Sequence, residues 1–332
     1  MSPVTIKDVA KMAGISISTV SRVVNNSKPV SSEIRDRVLK IIRETGYVPN
    51  PVARSLVMKK SQLIGVLVPD ISNLFISELL NGVEEICKMY EYDVLLCNTY
   101  GETEEELKYI NLLKSKQVAG VVFVSWKLDK LCVDALSESG IPASYISKNA
   151  QDFDVYSVRI NHKEASFEMT KYLLEKGRQR IAFFRTSVDD SIEDSERFKG
   201  YKEALEEAGL PIDSSIVLQG DRSGDSGYAL TLKLIEEDNL PSAIFASGDE
   251  MAIGVIGALM DKGIRIPEEV AVVGYDDIRM ASMMRPTLTT IRQPIYDIGA
   301  VSVRMVVKLI NEEAIENKVT VLPYTLVERQ SS

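Results

Sequence analysis

Histidine occurs once in these 332 residues and cysteine three times. The cysteines, Cys87, Cys97 and Cys132, are odd in number, lack metal-ligand spacing and sit in or beside apolar stretches, so neither a disulfide framework nor a zinc site is expected. The lone histidine, His162, begins an expected helix. It could line a cleft, although a helix-start or surface position is the commoner use of such a residue. GxSxG, Walker A and GxGxxG sequences are all absent, which leaves nucleophilic, phosphoryl-transfer and hydride-transfer chemistry without an anchor. The acidic run Glu104, Glu105 and Glu106 reads as a solvated helix face, and no enzyme, cofactor or metal is expected.

No apolar run approaches the roughly 20 residues needed to cross a bilayer. The opening MSPVTIKDVAKMAG carries no apolar core of the kind a secretion signal needs, so the expectation is a cytoplasmic protein. With 45% hydrophobic residues, there is material for two or three cores and hence for several domains.

A net charge of −9 argues against a nucleic-acid partner until the chain is divided. Residues 1–60 hold eleven Lys and Arg against four Asp and Glu, a net of +7, whereas the other 272 residues hold 28 against 44, a net of −16. Only the first segment suits a polyanion.

That segment reads as three short helices, VTIKDVAKMA, SISTVSRVVNN and SSEIRDRVLKIIRETG. Val9, Met12, Val20, Val23, Val24, Ile34, Val38, Leu39 and Ile42 recur at helical spacing and are expected to share one small core. Ser16, and Ser31 or Ser32, are N-cap candidates; Gly46 and then Pro49 end the third helix. Ala10 allows a close helix approach, Gly14 suits a tight turn, and Ile17, Ser18 and Arg22 project from one side of the second helix, as a helix-turn-helix requires. An arginine can bind guanine O6 and N7 through both arms of its fork, which makes Arg22 the favoured base reader. Ile17 and Ser18 offer a methyl-contacting surface and a hydroxyl, while Ser16, Thr19 and backbone amides suit phosphate. A small solvated helical domain with one positive face is the alternative.

From Leu63 the pattern changes to short β-branched runs alternating with helical stretches. The runs are LIGVLV, DVLLCN, GVVFVS, PASYIS, RIAFFR, SAIFAS and VAVVGYD; the helices fall near 74–90, 103–116, 162–176, 193–208, 226–237, 249–262 and 296–311. This alternation predicts two doubly wound parallel sheets, with breaks near Asn161 and Arg292, so that two lobes joined by crossovers enclose a cleft. Residues that follow strands and could line it are Asp70, Ser72, Asn73, Phe75, Arg197, Asp249 and Asp276. Between the two regions, NPVARSLVMKK reads as a conditional linker helix.

The stretches TIKDVAKMAGISISTVSRVVNNSKPVS, GYVPNPVARSLV, IGVLVPDISNLF and VAVVGYDD, in this order and spacing, resemble the lac repressor family over essentially the whole chain. The resemblance implies an all-α helix-turn-helix headpiece at 1–49, a hinge helix at 50–60, and a two-lobed body at 61–332 similar to periplasmic binding proteins. Its first lobe would comprise 61–161 and 293–322, its second 162–292 and 323–332. A homodimer would read a pseudo-palindromic operator, and its hinge helices would fold on DNA and enter the minor groove. Thr5, Asn25, Tyr47, Asn50 and Arg54 join the implied DNA contacts, Ala53 lets paired hinge helices approach, and Leu56 matches the family's intercalating leucine. A leucine wedge unstacks a base step at a cost of a few kcal/mol, offset by the contacts of a bent duplex. Leu56 could instead be a core residue that docks the headpiece.

Within the family, KMYEYDVLLCNT, KQVAGVVFVS, SGDEMAIG and QPIYDIGAVSVRMVVKLIN resemble the branch that governs carbon catabolite repression. That resemblance implies the serine-phosphorylated phosphocarrier HPr as corepressor, received by Arg304 and Lys308 with Tyr296 and Asp297 beside them. The two cations are four apart and share a helical face, which suits a phosphate; a merely solvated face has the same pattern. The family has a threonine where this chain has Val307. Sugar-binding relatives imply Arg197 and Asp276 as ligands to a sugar or sugar phosphate, the alternative being a buried ion pair that locks the lobes. A sugar-responsive repressor, and a sugar-binding protein without gene regulation, are the competing readings.

Overall fold

The computed structural model describes residues 4–25, 29–47, 61–147, 150–186 and 192–332, and the chain divides into two compact units, Met1–Gln62 and Leu63–Ser332.

Among its described residues the smaller unit holds three helices: α1 (Ile6–Ala13), α2 (Ile17–Asn25) and α3 (Ser32–Thr45). Thr5 stands at the N-cap of α1, where its backbone N–H and its hydroxyl both donate to the Asp8 carboxylate, at 2.9 and 2.7 Å. These bonds favour the charged form and hold Asp8 below the usual carboxylate range. At the other end Gly14 adopts φ 65°, its N–H bonding to the Lys11 carbonyl while the Ile15 N–H bonds to that of Ala10. This left-handed closure satisfies two orphan carbonyls and sets the tight turn into α2; glycine takes it without the clash a Cβ would suffer. Ser16 caps α2 by accepting from the Thr19 N–H at 3.2 Å.

Val9, Ala10, Ala13, Val20, Val23 and Val38 are buried together, with Val24, Ile34, Ile42 and Tyr47 packed around them. Two residues expected in that core are not there, since Met12 is 63% and Leu39 40% exposed. With about 100° per residue, each lies roughly a quarter turn or more away from the buried side of its helix, set by Val9, Ala10 and Ala13 in one case and by Val38 in the other.

The larger unit contains two six-stranded sheets. The first has the order β11-β5-β4-β3-β1-β2, from β1 (Leu63–Val68), β2 (Asp93–Asn98), β3 (Gly120–Ser125), β4 (Ala143–Ser147), β5 (Ser157–Arg159) and β11 (Val319–Val321), all parallel. The second has the order β12-β10-β9-β8-β6-β7, from β6 (Ile181–Arg185), β7 (Val217–Gln219), β8 (Ala243–Ala246), β9 (Ala271–Asp276), β10 (Thr289–Arg292) and β12 (Thr325–Val327). Only β12 runs antiparallel, against β10. The central strands are buried along their length, as a sheet covered on both faces demands.

Helices α4 (Leu74–Met89), α5 (Thr103–Ser115), α6 (Lys130–Ser139) and α11 (Ile295–Ile310) belong with the first sheet. Helices α7 (His162–Glu175), α8 (Ile192–Glu207), α9 (Gly224–Glu236) and α10 (Asp249–Asp261) belong with the second. The chain therefore passes between lobes after β5, after β10 and after β11. Helix α6 and the short strands β5, β7, β10, β11 and β12 lie outside the periodic runs of the sequence.

The second pass is anchored where α11 returns to α4. A Cβ on Gly299 would lie 2.3 Å from the Leu79 carbonyl oxygen, and one on Gly82 would lie 2.1 Å from that of Tyr296. Only glycine permits the two backbones to touch there, and Val303 and Val306 fill the space beneath at full burial.

Within α5 the solvated acidic face needs correction at one position. Glu106 is buried, accepting a hydrogen bond from the Ser125 hydroxyl at 2.8 Å, and burial pushes its carboxyl up. The helix turns one of three consecutive glutamates toward the sheet, because successive side chains point about 100° apart.

Candidate functional site

On the smaller unit the candidate DNA-reading residues lie where folding leaves them. Val20 and Val23 take one side of α2 into the core, and Ile17, Ser18 and Arg22 are exposed on the other. The Ser16 hydroxyl lies 2.8 Å from both the Ser18 and the Thr19 hydroxyls, a cluster of three groups at the first turn of α2. Among the described residues Arg22 is in no ion pair. Its guanidinium is therefore presented by a rigid helix rather than held by a carboxylate. Thr5 is exposed, with its hydroxyl turned to Asp8, and Tyr47 is half-buried on the core. Asn50, Ala53, Arg54 and Leu56, and the side chain of Asn25, lie outside the described residues.

Within the larger unit a cleft of about 800 Å³, its open mouth included, lies between the two sheets. Of the residues expected there, Asn73, Phe75, Arg197, Asp249 and Asp276 line it. Asp70 and Ser72 do not. The Asp70 carboxylate accepts from the Ser72 N–H and hydroxyl, at 2.9 and 2.7 Å, which closes the turn before α4 and leaves Ser72 facing solvent.

Asp249 and Arg197 are both buried and both occupied by the fold. The Asp249 carboxylate accepts from the Thr290 hydroxyl at 2.6 Å and from the Ile278 N–H at 2.8 Å. Burial, and then the neighbouring Asp276 charge, push Asp249 well above the usual carboxylate range against the opposing pull of those two donors. The Arg197 guanidinium donates to the Ser247 carbonyl, stacks 3.7 Å from the centroid of the Tyr275 ring, and stands 3.8 Å from Asp276. Asp276 also accepts from the Gln293 amide at 2.6 Å, and its φ of 114° is a conformation non-glycine residues rarely adopt. His162 starts α7 as expected, but it is buried on the cleft wall with its Nδ1 2.9 Å from the Tyr275 hydroxyl, so the surface position gives way to a structural bond inside the site.

Several cleft residues were not anticipated, namely Ser125, Trp126, Arg159, Thr186, Arg222, Ser247 and Glu250. Trp126, Thr186 and Ser247 each directly follow the last residue of a strand, β3, β6 and β8 respectively, and crevices of parallel sheets open at the carboxyl ends of strands. That rule, applied to every strand, would have found them. Arg222 follows β7, whose three residues leave no pattern to follow.

On α11, Arg304 and Lys308 are exposed, with Met305, Val306 and Val307 buried between them. Tyr296, Asp297, Arg304 and Lys308 fall within about 120° of one another around the helix. Tyr296 is half-buried, and its hydrogen bond to the Glu85 carboxylate holds its phenol above the ordinary range, opposed by the Arg304 charge. Val307 packs into the core of the first lobe, so the valine that departs from the family pattern faces the sheet and not the exposed cations.

Residues 5–50 match the model of bacterial regulatory proteins of the lacI family, and residues 170–332 match the periplasmic binding protein-like domain. The chain is 40% identical over 329 residues to catabolite control protein A of Priestia megaterium, covering 99% of each. Among solved structures, it is similar to the transcription regulator CcpA of Lactococcus lactis (33% identity, 81% of this chain and 98% of that one, TM-score 0.76). It is also similar to the lac repressor dimer bound to operator and the anti-inducer ONPF (28% identity, 99% of each chain, TM-score 0.91). Among the described residues no helix is long and apolar enough to cross a membrane.

Proposed function

The chain belongs to the lacI family of bacterial regulatory proteins and is a DNA-binding transcription regulator, and from that premise we propose that it serves carbon catabolite control as a homodimer on a pseudo-palindromic operator. In this reading the headpiece is 1–49, the hinge 50–60 and the effector-binding and dimerising body 61–332, and the site of action is the cytoplasm, where its DNA partner lies. Helix α2 enters the major groove, with Arg22 reading guanine, Ile17 and Ser18 beside it, and Ser16 and Thr19 on phosphate. Thr5, Asn25, Tyr47, Asn50, Ala53, Arg54 and Leu56 complete the DNA contacts by resemblance to the family.

Serine-phosphorylated HPr acts as corepressor on α11. The observation that carries this part is the pair Arg304 and Lys308, exposed on one face of a helix whose other side is core, in a chain matched end to end by a catabolite control protein. A phosphate of charge about −1.5 to −2 can take charge-assisted hydrogen bonds from both. Tyr296 and Asp297 frame the contact. Coupling to DNA requires that the corepressor bind one lobe arrangement better than the other, since a ligand indifferent to that arrangement shifts nothing.

Titrating labelled HPr with and without serine phosphorylation tests the assignment. Binding of the phosphorylated form, weakened at least about tenfold by either R304A or K308A, is the expected outcome. Binding that ignores phosphorylation, or survives both substitutions, sinks the corepressor role.

A second reading, a small sugar or sugar phosphate in the cleft, has its own support. Arg159, Arg197 and Arg222 all line the cleft, and the buried hydroxyls of Thr186 and Ser247 have no hydrogen-bond partner among the described residues. Such hydroxyls suit a polyhydroxylated ligand, and the guanidinium groups suit one that carries a phosphate.

A further inference from the structure

Glu250 and Arg222 of the second lobe each reach across the cleft to the first without using any crossover strand. Glu250, the second residue of α10 in the second lobe, reaches the start of α4 in the first: its Oε1 accepts from the Leu74 backbone N–H at 3.1 Å and stands 3.4 Å from Asn73 Nδ2. Arg222, which precedes α9 in the second lobe, lays its guanidinium 4.3 Å from the centroid of the Trp126 indole at the end of β3 in the first. All of these residues except Leu74 line the cleft.

The first N–H groups of a helix have no partner inside it and carry the positive end of the helix dipole. In α4 the Asn73 side chain satisfies the Ile76 N–H, at 3.2 Å. The N–H of Leu74 is satisfied by a carboxylate from the other lobe. The charge on Glu250 thus does for α4 what an acidic cap does within a single element, but across the boundary between lobes. Arg222 over Trp126 is a cation–π contact, favourable when the guanidinium is partly shielded from water. A rigid-body separation of the lobes would break both contacts together, and re-approach would restore both.

We infer that Glu250 and Arg222 form a latch that holds the lobes against each other, so that the chain's own side chains favour the approached arrangement and any cleft ligand acts on a pre-biased equilibrium. The latch rests on the fold of the larger unit alone, and its failure and that of the corepressor assignment are separately visible.

Trp126 is the sole tryptophan of the chain, so intrinsic fluorescence reports the latch directly. In full-length E250A, a substitution that does not touch Trp126, the expected result is a red-shifted emission and an acrylamide quenching constant raised about twofold or more by exposure of the indole. R222A should change the quenching constant to a similar degree, and the double variant should exceed either alone only slightly, because one opening motion exposes the ring in each. E250Q keeps an oxygen that can accept from Leu74 but loses the charge, and should lie between wild type and E250A. It also serves as the test if E250A does not fold, which circular dichroism decides. Wild-type quenching in E250A or, failing that variant, in E250Q, with a change in R222A alone, overturns the latch and leaves two independent contacts.

Discussion

The two units of this chain use their functional residues in opposite ways. In the smaller unit the residues proposed to read DNA are those the fold does not need: Ile17, Ser18 and Arg22 are exposed, while Val20 and Val23 on the same helix hold the core. In the body the cleft residues are structural as well. Arg197, Asp249 and Asp276 are occupied by carbonyls, hydroxyls, an aromatic ring and one another. A binding surface on the outside of a small helical unit can change with little effect on folding, whereas in a cleft built from buried charges any ligand recognition would be tied to stability.

The largest effect expected from this contrast is in the cleft. Arg197→Ala leaves Asp276 without its guanidinium and uncovers the Tyr275 ring, and breaking a buried pair costs about 3–5 kcal/mol. Urea unfolding of the body measures it; a loss below 1 kcal/mol would mean that the cleft charges are as dispensable as surface ones.

Arg22→Ala should do the reverse. Its stability should stay within about 0.5 kcal/mol of wild type, while affinity for a specific operator falls by about 1–3 kcal/mol. Competition binding against random DNA sharpens the point, because an equal loss on both DNAs would reduce Arg22 to a phosphate contact.

The smallest effect is the most diagnostic of how the body is held. Asp249 has a raised pKa in the folded chain, so above the ordinary carboxylate range the unfolded state releases a proton that the native state keeps. The native state then binds more protons than the unfolded one, and stability contributed by this group is lost as pH rises from about 4 toward the raised native value. Asp249→Asn keeps an acceptor for the Ile278 N–H and supplies a donor toward Thr290, so its unfolding free energy should decline less over that window than the wild-type value. Parallel pH profiles would show that Asp249 does not titrate as its surroundings dictate.

Much of this arrangement was legible in advance. The 3.6-residue spacing of Val9, Val20, Val23 and Val38, with Gly14 between helices, marks the headpiece, and the β-branched runs from Leu63 to Asp276 mark the sheets. Met12 and Leu39 misled because an apolar residue on a short helix has the same periodic signature a quarter turn off the core. Glu106 misled for the opposite reason, a charged residue turned inward within an acidic run. Helix α11 announced its exposed cations through spacing, but that Val307 faces the sheet follows only from how α11 lies on it.

By itself the sequence determined the elements, their order and the opposite charges of the two units, because hydrophobic period, capping residues and net charge are local or additive properties. What it could not determine was which groups from distant segments meet. Glu250 at the start of α4, Arg222 over Trp126, and Gly82 and Gly299 where α4 and α11 touch depend on the packing of whole elements, and those distances emerge only when two lobes and three crossovers are assembled together.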